Sequence, residues 1–360
     1  MRGLLRALVT NRLNVLMAAA PLSWVLHRVS PDSPWVFISA AISLVPLAGI
    51  IGLGTEELAC RTGPAVGGFL NATFGNAAEL IIAFVALHDG HVALVKASIT
   101  GSIVGNLLLV LGASFFVGGI GRKSQTFNRT AATNTVTMLF LAVVALVMPA
   151  VFDLSLYGTL AVEPAAIARL SLCSAFVLIG AYVGSLIYAF RAHCDLFRAE
   201  PDPRHASLTT TQAVSLLAAG TILTTIQAEL LVGALTPALG QFGLTELFVG
   251  VVLIAIIGNA AEHYSAVVAA RRDQMTLAVE IAVGSSAQIA LLVAPLVVLY
   301  SFAIGRPMSL LFNPFEIAAI ALSVFAATLV VSDGESNWVE GLQLVSVYLI
   351  LALAFYFVPA

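Results

Sequence analysis

Apolar runs of about 20 residues recur along the whole chain, each ended by a short polar or Gly/Pro-bearing stretch. Runs of that length suit helices that cross the hydrocarbon layer, whereas membrane strands would alternate over segments of about ten residues. The pattern predicts helices over 13–29, 35–53, 64–88, 92–120, 130–152 and 165–190, then over 211–235, 244–272, 275–303, 313–332 and 338–357. The expected fold is therefore an all-α polytopic membrane protein of about 11 transmembrane helices.

The polar stretch 191–210, which holds Pro201 and Pro203, reads as a linker between two halves. An N-terminal helix (1–30) precedes a first half (31–190), and a second half (211–360) follows the linker. Five helices in each half is an odd number, so two similar halves must enter the membrane in opposite orientation. Arg2, Arg6 and Arg12 ahead of the run Leu13 to Leu26, with Ala18-Ala19-Ala20, also resemble a cleavable signal. The plainer reading is a first transmembrane helix.

Composition agrees with the pattern. Of 360 residues, 60% are hydrophobic and 10% charged, which excludes an ordinary soluble domain, a disordered chain and a nucleic-acid binder. The lipid bilayer is the partner this surface implies. The placement of charge is more informative than the net value of −3. With the N-terminus in the cytoplasm, 12 of the 16 Lys and Arg residues fall on that side, leaving Arg28, Lys96, Arg169 and Arg306 opposite. Cys60, Cys173 and Cys194 show neither CxxC nor metal-ligand spacing.

A shift of 183 positions lays Gly75-Asn76-Ala77-Ala78-Glu79 on Gly258-Asn259-Ala260-Ala261-Glu262 without a mismatch, and 14 of the 36 positions from 75 to 110 are identical. Gly101-Ser102 falls on Gly284-Ser285 in the same register. In inverted halves these copies are expected to meet near the midplane, where transporters bind substrate. A carboxylate at that depth costs on the order of 2.5–3.5 kcal/mol on insertion scales, so Glu79 and Glu262 need a role. Protonated glutamates bonded between helices are the plain structural role. Two converging carboxylates instead form a hard-oxygen site suited to a divalent cation such as Ca2+, and protons can take the cation's place when it leaves.

The three-residue spacing puts Asn76 with Glu79, and Asn259 with Glu262, on one helix face, while Gly75 and Gly258 weaken the helix beside them. Ca2+ takes about six to eight oxygens, so amides, carbonyls and water must complete the shell. Ser98, Ser102 and Asn106 on the next helix, and Ser285, Ser286 and Gln288 on its counterpart, are candidates for cavity lining, the serines equally for helix packing. Glu57 and Glu229 are candidates for the ion path, Glu280 and Glu316 weaker ones, and Glu246 reads as a helix-start acid.

The two GNAAE segments, in the contexts Leu70-Asn71-Ala72-Thr73-Phe74-Gly75-Asn76-Ala77-Ala78-Glu79-Leu80 and Ile257-Gly258-Asn259-Ala260-Ala261-Glu262-His263, together with Val283-Gly284-Ser285-Ser286-Ala287-Gln288, resemble the Ca2+/H+ antiporters of the Ca2+:cation antiporter superfamily. The resemblance covers about residues 35–357. It implies an N-terminal helix before an inverted five-plus-five core, in which Glu79 and Glu262 bind Ca2+ and protons in turn.

By that resemblance Ca2+ is the transported substrate, exported from the cytoplasm against protons, no cofactor is required, and the setting is a bacterial-type inner membrane or an organellar membrane. The linker departs from the acidic pattern, because Arg191, Arg198 and Arg204 balance Asp195, Glu200 and Asp202. His193 and His205 there read as loop residues. The rivals are an Na+/Ca2+ exchanger of the same superfamily, a passive cation channel and an intramembrane protease, and the last finds no HExxH here. Assembly into a homo-oligomer stays open.

Overall fold

The computed structural model describes residues 12–62, 67, 70, 71, 73–158, 165–192 and 208–359. A 3₁₀ turn, Arg12–Ala18, leads into α1 (Ala19–Val29), followed by α2 (Pro34–Thr62), α3 (Ala77–His88) and α4 (Val92–Gly119). After the two-residue strand β1 (Gln125–Thr126) come α5 (Arg129–Tyr157) and α6 (Ala165–Ala192). The second half holds α7 (Thr210–Gly233), α8 (Leu235–Phe242), α9 (Glu246–Gly258), α10 (Ala260–Arg271), α11 (Met275–Ala303), α12 (Pro314–Val331), β2 (Glu335–Ser336) and α13 (Trp338–Phe357).

Eight of these helices are long and apolar enough to cross a membrane, or up to nine if the bent pair α8 and α9 counts as one span. The protein is thus a multi-pass helical membrane protein. Among the described residues eleven continuous spans are not confirmed. The expected 13–29 and 64–88 spans appear as the shorter apolar helices Leu13–Val29 and Ala77–His88, and 244–272 is interrupted at Asn259. Most of the linker, residues 193–207, lies outside the described residues, as do Arg2, Arg6, Cys194, His193 and His205.

Two compact units form, each taking segments from both halves. The first contains Met1–Asp89, Val183–Leu244 and Ile257–Ala261. Its frame is the crossing of α2 and α7, made close by glycine. A Cβ on Gly54 would stand 3.1 Å from Leu217 N, and one on Gly220 would stand 3.0 Å from Ile51 Cγ1. Small residues let membrane helices approach without any hydrophobic drive between them. Leu47, Ile50, Leu208 and Leu216 form the apolar core beside this crossing, with Met17, Leu53 and Leu223 packed on it. The backbone of Leu208 is held at both ends, its N–H by Glu57 Oε2 at 3.3 Å and its carbonyl by the Arg61 guanidinium.

The second unit contains Gly90–Tyr182, Thr245–Ile256 and Glu262–Ala360. Its central crossing is reciprocal: Gly101 of α4 lies on the backbone of Val251, and Gly250 of α9 lies on Ala97 and Leu94 of α4. α4, α9 and α11 each carry a π-helical turn, at Gly105–Val110, Val249–Ile254 and Ile289–Val293. Such turns are rare and collect at functional sites. Shifted by 183, the first falls on positions 288–293, so the repeat extends from residues to backbone deformation.

A buried non-helical strap, Met308 to Phe312, closes one end of this unit. Backbone in that position needs every polar group satisfied inside the protein. Ser301 Oγ accepts from Met308 N–H at 2.8 Å, Ser171 Oγ from Leu310 N–H at 2.8 Å, and Glu316 Oε2 from Asn313 N–H at 2.9 Å. Lys96 Nζ donates to Leu311 O at 2.8 Å, which explains a buried lysine on an apolar helix.

His91, which pairs with Glu246 at 2.9 Å, belongs to the loops assigned to the same external side as the strap. At the other end of α4, β1 pairs antiparallel with β2, and Gln125 Nε2 donates to Asp273 Oδ1 at 2.6 Å. These loops fall on the expected cytoplasmic side, so each of the contacts named here joins loops expected on one side. Single cysteines at Arg306 and at Lys123, in a background without the native cysteines, are expected to label from opposite faces of sealed vesicles. Labelling from one face would overturn the assigned sides.

Candidate cation-binding site

Both GNAAE segments interrupt a helix. In the first, Gly75-Asn76 forms a turn and α3 begins at Ala77. In the second, α9 ends at Gly258, Asn259 is a turn residue, and α10 begins at Ala260. Gly75 is needed at the turn because a Cβ there would come within 2.5 Å of Asn71 O. Each asparagine therefore stands in the break rather than on a helix face, the glycine and the turn having won over helical continuity. Asn76 occupies the N-cap position of α3, although its side chain does not cap the helix. Both asparagines are buried, at 0% and 1% exposure.

The breaks put each glutamate in the first turn of a new helix. There the unpaired N–H groups and the helix dipole favour a carboxylate, and the carbonyls of the interrupted segment become available to a cation. Glu79 and Glu262 thus have a local electrostatic reason for their position that the spacing alone did not show.

In the first unit, Glu79 packs on the glycine of the other repeat. A Cβ at Gly258 would lie 3.3 Å from Glu79 Cγ and 3.5 Å from its Oε1. The two motif copies therefore meet through this contact, with Asn76 and Asn259 in the same unit.

In the second unit, Glu262 hydrogen-bonds with Ser285, and Ser285 Oγ accepts from Asn106 Nδ2 at 3.0 Å. Ser286 Oγ reaches Ile103 O at 3.4 Å and Ala282 O at 3.0 Å, the packing role expected of a serine in a membrane helix. Glu262 Oε2 is buried and has no protein partner among the described residues. An unpaired carboxylate oxygen of this kind fits a cation or a proton.

Other candidates divide. Ser102 and Ser285 are buried, and Gln288 is half-buried at the turn into the π segment of α11. Glu57 is buried and bonded to Leu208, whereas Glu229 is exposed on α7. Glu280 is half-buried, Glu316 accepts from Thr100 Oγ1 at 3.1 Å as well as from Asn313, and Glu246 stands in the first turn of α9. His263 is half-buried, and its Nε2 finds no partner among the described residues. Among those residues no three His, Cys, Asp or Glu side chains converge on one point. The spacing does not reveal the Asn106–Ser285–Glu262 chain, because the sequence marks Glu262 as a ligand and Asn106 and Ser285 as separate cavity-lining positions.

Comparison with known proteins follows the same lines. The sequence profile described as sodium/calcium exchanger protein matches residues 33–191 and 212–357. The Ca(2+)/H(+) antiporter of Synechocystis sp. (strain ATCC 27184 / PCC 6803 / Kazusa) is 42% identical over 365 residues, 96% of this chain and 97% of that protein. The Ca(2+)/H(+) antiporter ChaA of Bacillus subtilis (strain 168) is 39% identical, over 96% of this chain and 99% of its own length. The solved structure of native YfkE superposes with a TM-score of 0.84 at 37% identity, over 97% of this chain and 100% of that one.

The Ser285 link generates a stability expectation. Ser285→Ala leaves both Glu262 and the Asn106 amide one partner short in a buried setting, which should cost about 1–3 kcal/mol. Thermal unfolding of the purified protein checks it, with Ser285→Thr, which keeps the hydroxyl, expected to recover most of the loss.

Proposed function

The chain belongs to the sodium/calcium exchanger protein family, and from that premise we propose that it exchanges Ca2+ for H+ across a membrane as a secondary active antiporter. The observation that carries the reading is the pair of interrupted helices, each with a glutamate in its first turn, on a chain 42% and 39% identical to two Ca(2+)/H(+) antiporters. Glu79 and Glu262 carry Ca2+ and protons in turn, and transport proceeds by alternating access, moving Ca2+ out of the cytoplasm.

Each residue type then has a task. The two carboxylates supply the negative charge that a hard cation requires. Asn76 and Asn259, buried in the breaks, offer amide oxygens, and the carbonyls at the break offer more. Ca2+ takes about six to eight oxygens, so neutral donors and water make up most of the shell. Asn106 and Ser285 hold Glu262 from behind and leave its Oε2 for the ion. When protons enter, each carboxylate becomes neutral, and the electrostatic hold on Ca2+ is released. One charge-bearing set thereby serves two ions that cannot occupy it together.

The family description itself favours a second reading, Na+/Ca2+ exchange. Proteoliposomes carrying a pH gradient or a Na+ gradient, each at clamped voltage, separate the two. Uptake of Ca2+ is expected with the pH gradient alone, and uptake driven only by Na+ would overturn the proton reading. In the same vesicles Glu79→Gln and Glu262→Gln should each lower Ca2+ uptake by about tenfold or more, the scale of one lost charge-assisted interaction. Near-normal uptake in either variant, with folding intact, would remove that glutamate from the mechanism.

A further inference from the structure

Away from the glutamates, the first unit buries a polar junction where α1, α2 and α7 meet. Ser23 of α1, Ser43 of α2 and Thr224 of α7 are 0% exposed, and Gln227 of α7 is 1% exposed. Each serine Oγ has two oxygens within reach. Ser23 Oγ lies 2.7 Å from Ala20 O and 2.8 Å from Gln227 Oε1, and Ser43 Oγ lies 2.7 Å from Ala40 O and 2.9 Å from the same Oε1. A hydroxyl has one proton, so neither serine can donate to both of its neighbours.

The proton count is met when the Gln227 amide is turned over. Its two N–H groups then donate to the two serine oxygens, and each serine donates to its own helix carbonyl. Four hydrogen bonds form in place of two. Amide oxygen and nitrogen are assigned from such a network. The atom left without a partner is then the amide oxygen, because the opposite end of the amide has none among the described residues.

A second buried polar atom lies one helical turn away. Thr221 and Thr225 donate back to Leu217 O at 2.8 Å and Thr221 O at 2.9 Å, the usual arrangement for threonine in an apolar helix. Thr224, between them, does not: its Oγ1 is buried without a partner among the described residues. Positions 224 and 227 share one face of α7. The face thus offers one carbonyl acceptor and one hydroxyl, neither paired among the described residues.

We propose that this junction holds one buried water, which accepts from the Thr224 hydroxyl and donates to the Gln227 carbonyl. The water completes the polar closure that pins the N-terminal helix α1 to α2 and α7. A buried water needs two or more polar partners, and an unpaired amide carbonyl and hydroxyl in a membrane interior each cost free energy that one water recovers. The site depends on no assumption about the transported ion.

X-ray radiolytic hydroxyl labelling of the full chain in nanodiscs tests it, since a bound water yields label on buried residues beside it. The peptide containing Thr224 and Gln227 is expected to label several-fold above the equally buried positions elsewhere in α7. After rapid mixing into H₂¹⁸O the label should retain the lighter isotope longer than surface sites do. Thr224→Val should remove the signal.

Labelling at the background of the helix in the wild-type chain, or labelling unchanged in Thr224→Val, would overturn the site. Because the first measurement uses the wild-type chain, a variant that fails to fold leaves the outcome decided.

Discussion

An ionisable carboxylate within an apolar layer needs either a proton or opposite charge beside it, and the local structure around Glu79 and Glu262 follows from that requirement. An unbroken helix would have offered neither. By ending one helical segment at a Gly-Asn turn and starting another, the chain brings N–H groups and the positive end of a dipole to each carboxylate. The break has its own cost, because interrupted backbone is tolerated at membrane depth only where protein encloses it. The burial of Asn76 and Asn259 shows that enclosure.

Enclosure in turn requires helices to approach closely, and glycine supplies this in both units. Gly54 and Gly220 set the crossing of α2 with α7, and Gly101 and Gly250 set that of α4 with α9. Between membrane helices there is little hydrophobic gain, so contact must come from backbone approach and dispersion. Because the second crossing runs through a π-helical turn, the deformation that widens one helix is held by the glycine of its neighbour. The same economy governs the strap at Met308 to Phe312, where a buried lysine, a buried glutamate and two serines replace the hydrogen bonds of a helix.

Much of this was legible in the sequence, for identifiable reasons. Hydropathy reports length and apolarity, so each expected span holds helix among the described residues, though not always as one continuous segment. The duplicated GNAAE marked the two helix breaks, because residue identity at a fixed shift survives without any knowledge of packing. What could not be read depends on distant partners. Continuity of the 244–272 run failed because a turn at Asn259 leaves no mark in an average over 19 or 20 apolar positions. Lys96 read only as an external cation, since its acceptor, Leu311 O, lies 215 positions along the chain. The polar junction at Gln227 was overlooked altogether, because a serine, a serine and a glutamine on three separate helices form no local pattern.

The repeat also shows where duplication stops. Under the shift of 183, Ser102 corresponds to Ser285, and the π turn of α4 to that of α11. Asn106, however, corresponds to Ile289. The amide that supports Ser285, and through it Glu262, is therefore not repeated at the corresponding position, which holds an isoleucine. Glu79 packs against the backbone of Gly258. Two carboxylates in identical motifs thus have different neighbours: Glu262 is linked through Ser285 to Asn106, and Glu79 packs against Gly258. Equal motifs do not fix equal surroundings, and part of the difference comes from the helix that follows each motif rather than from the motif itself.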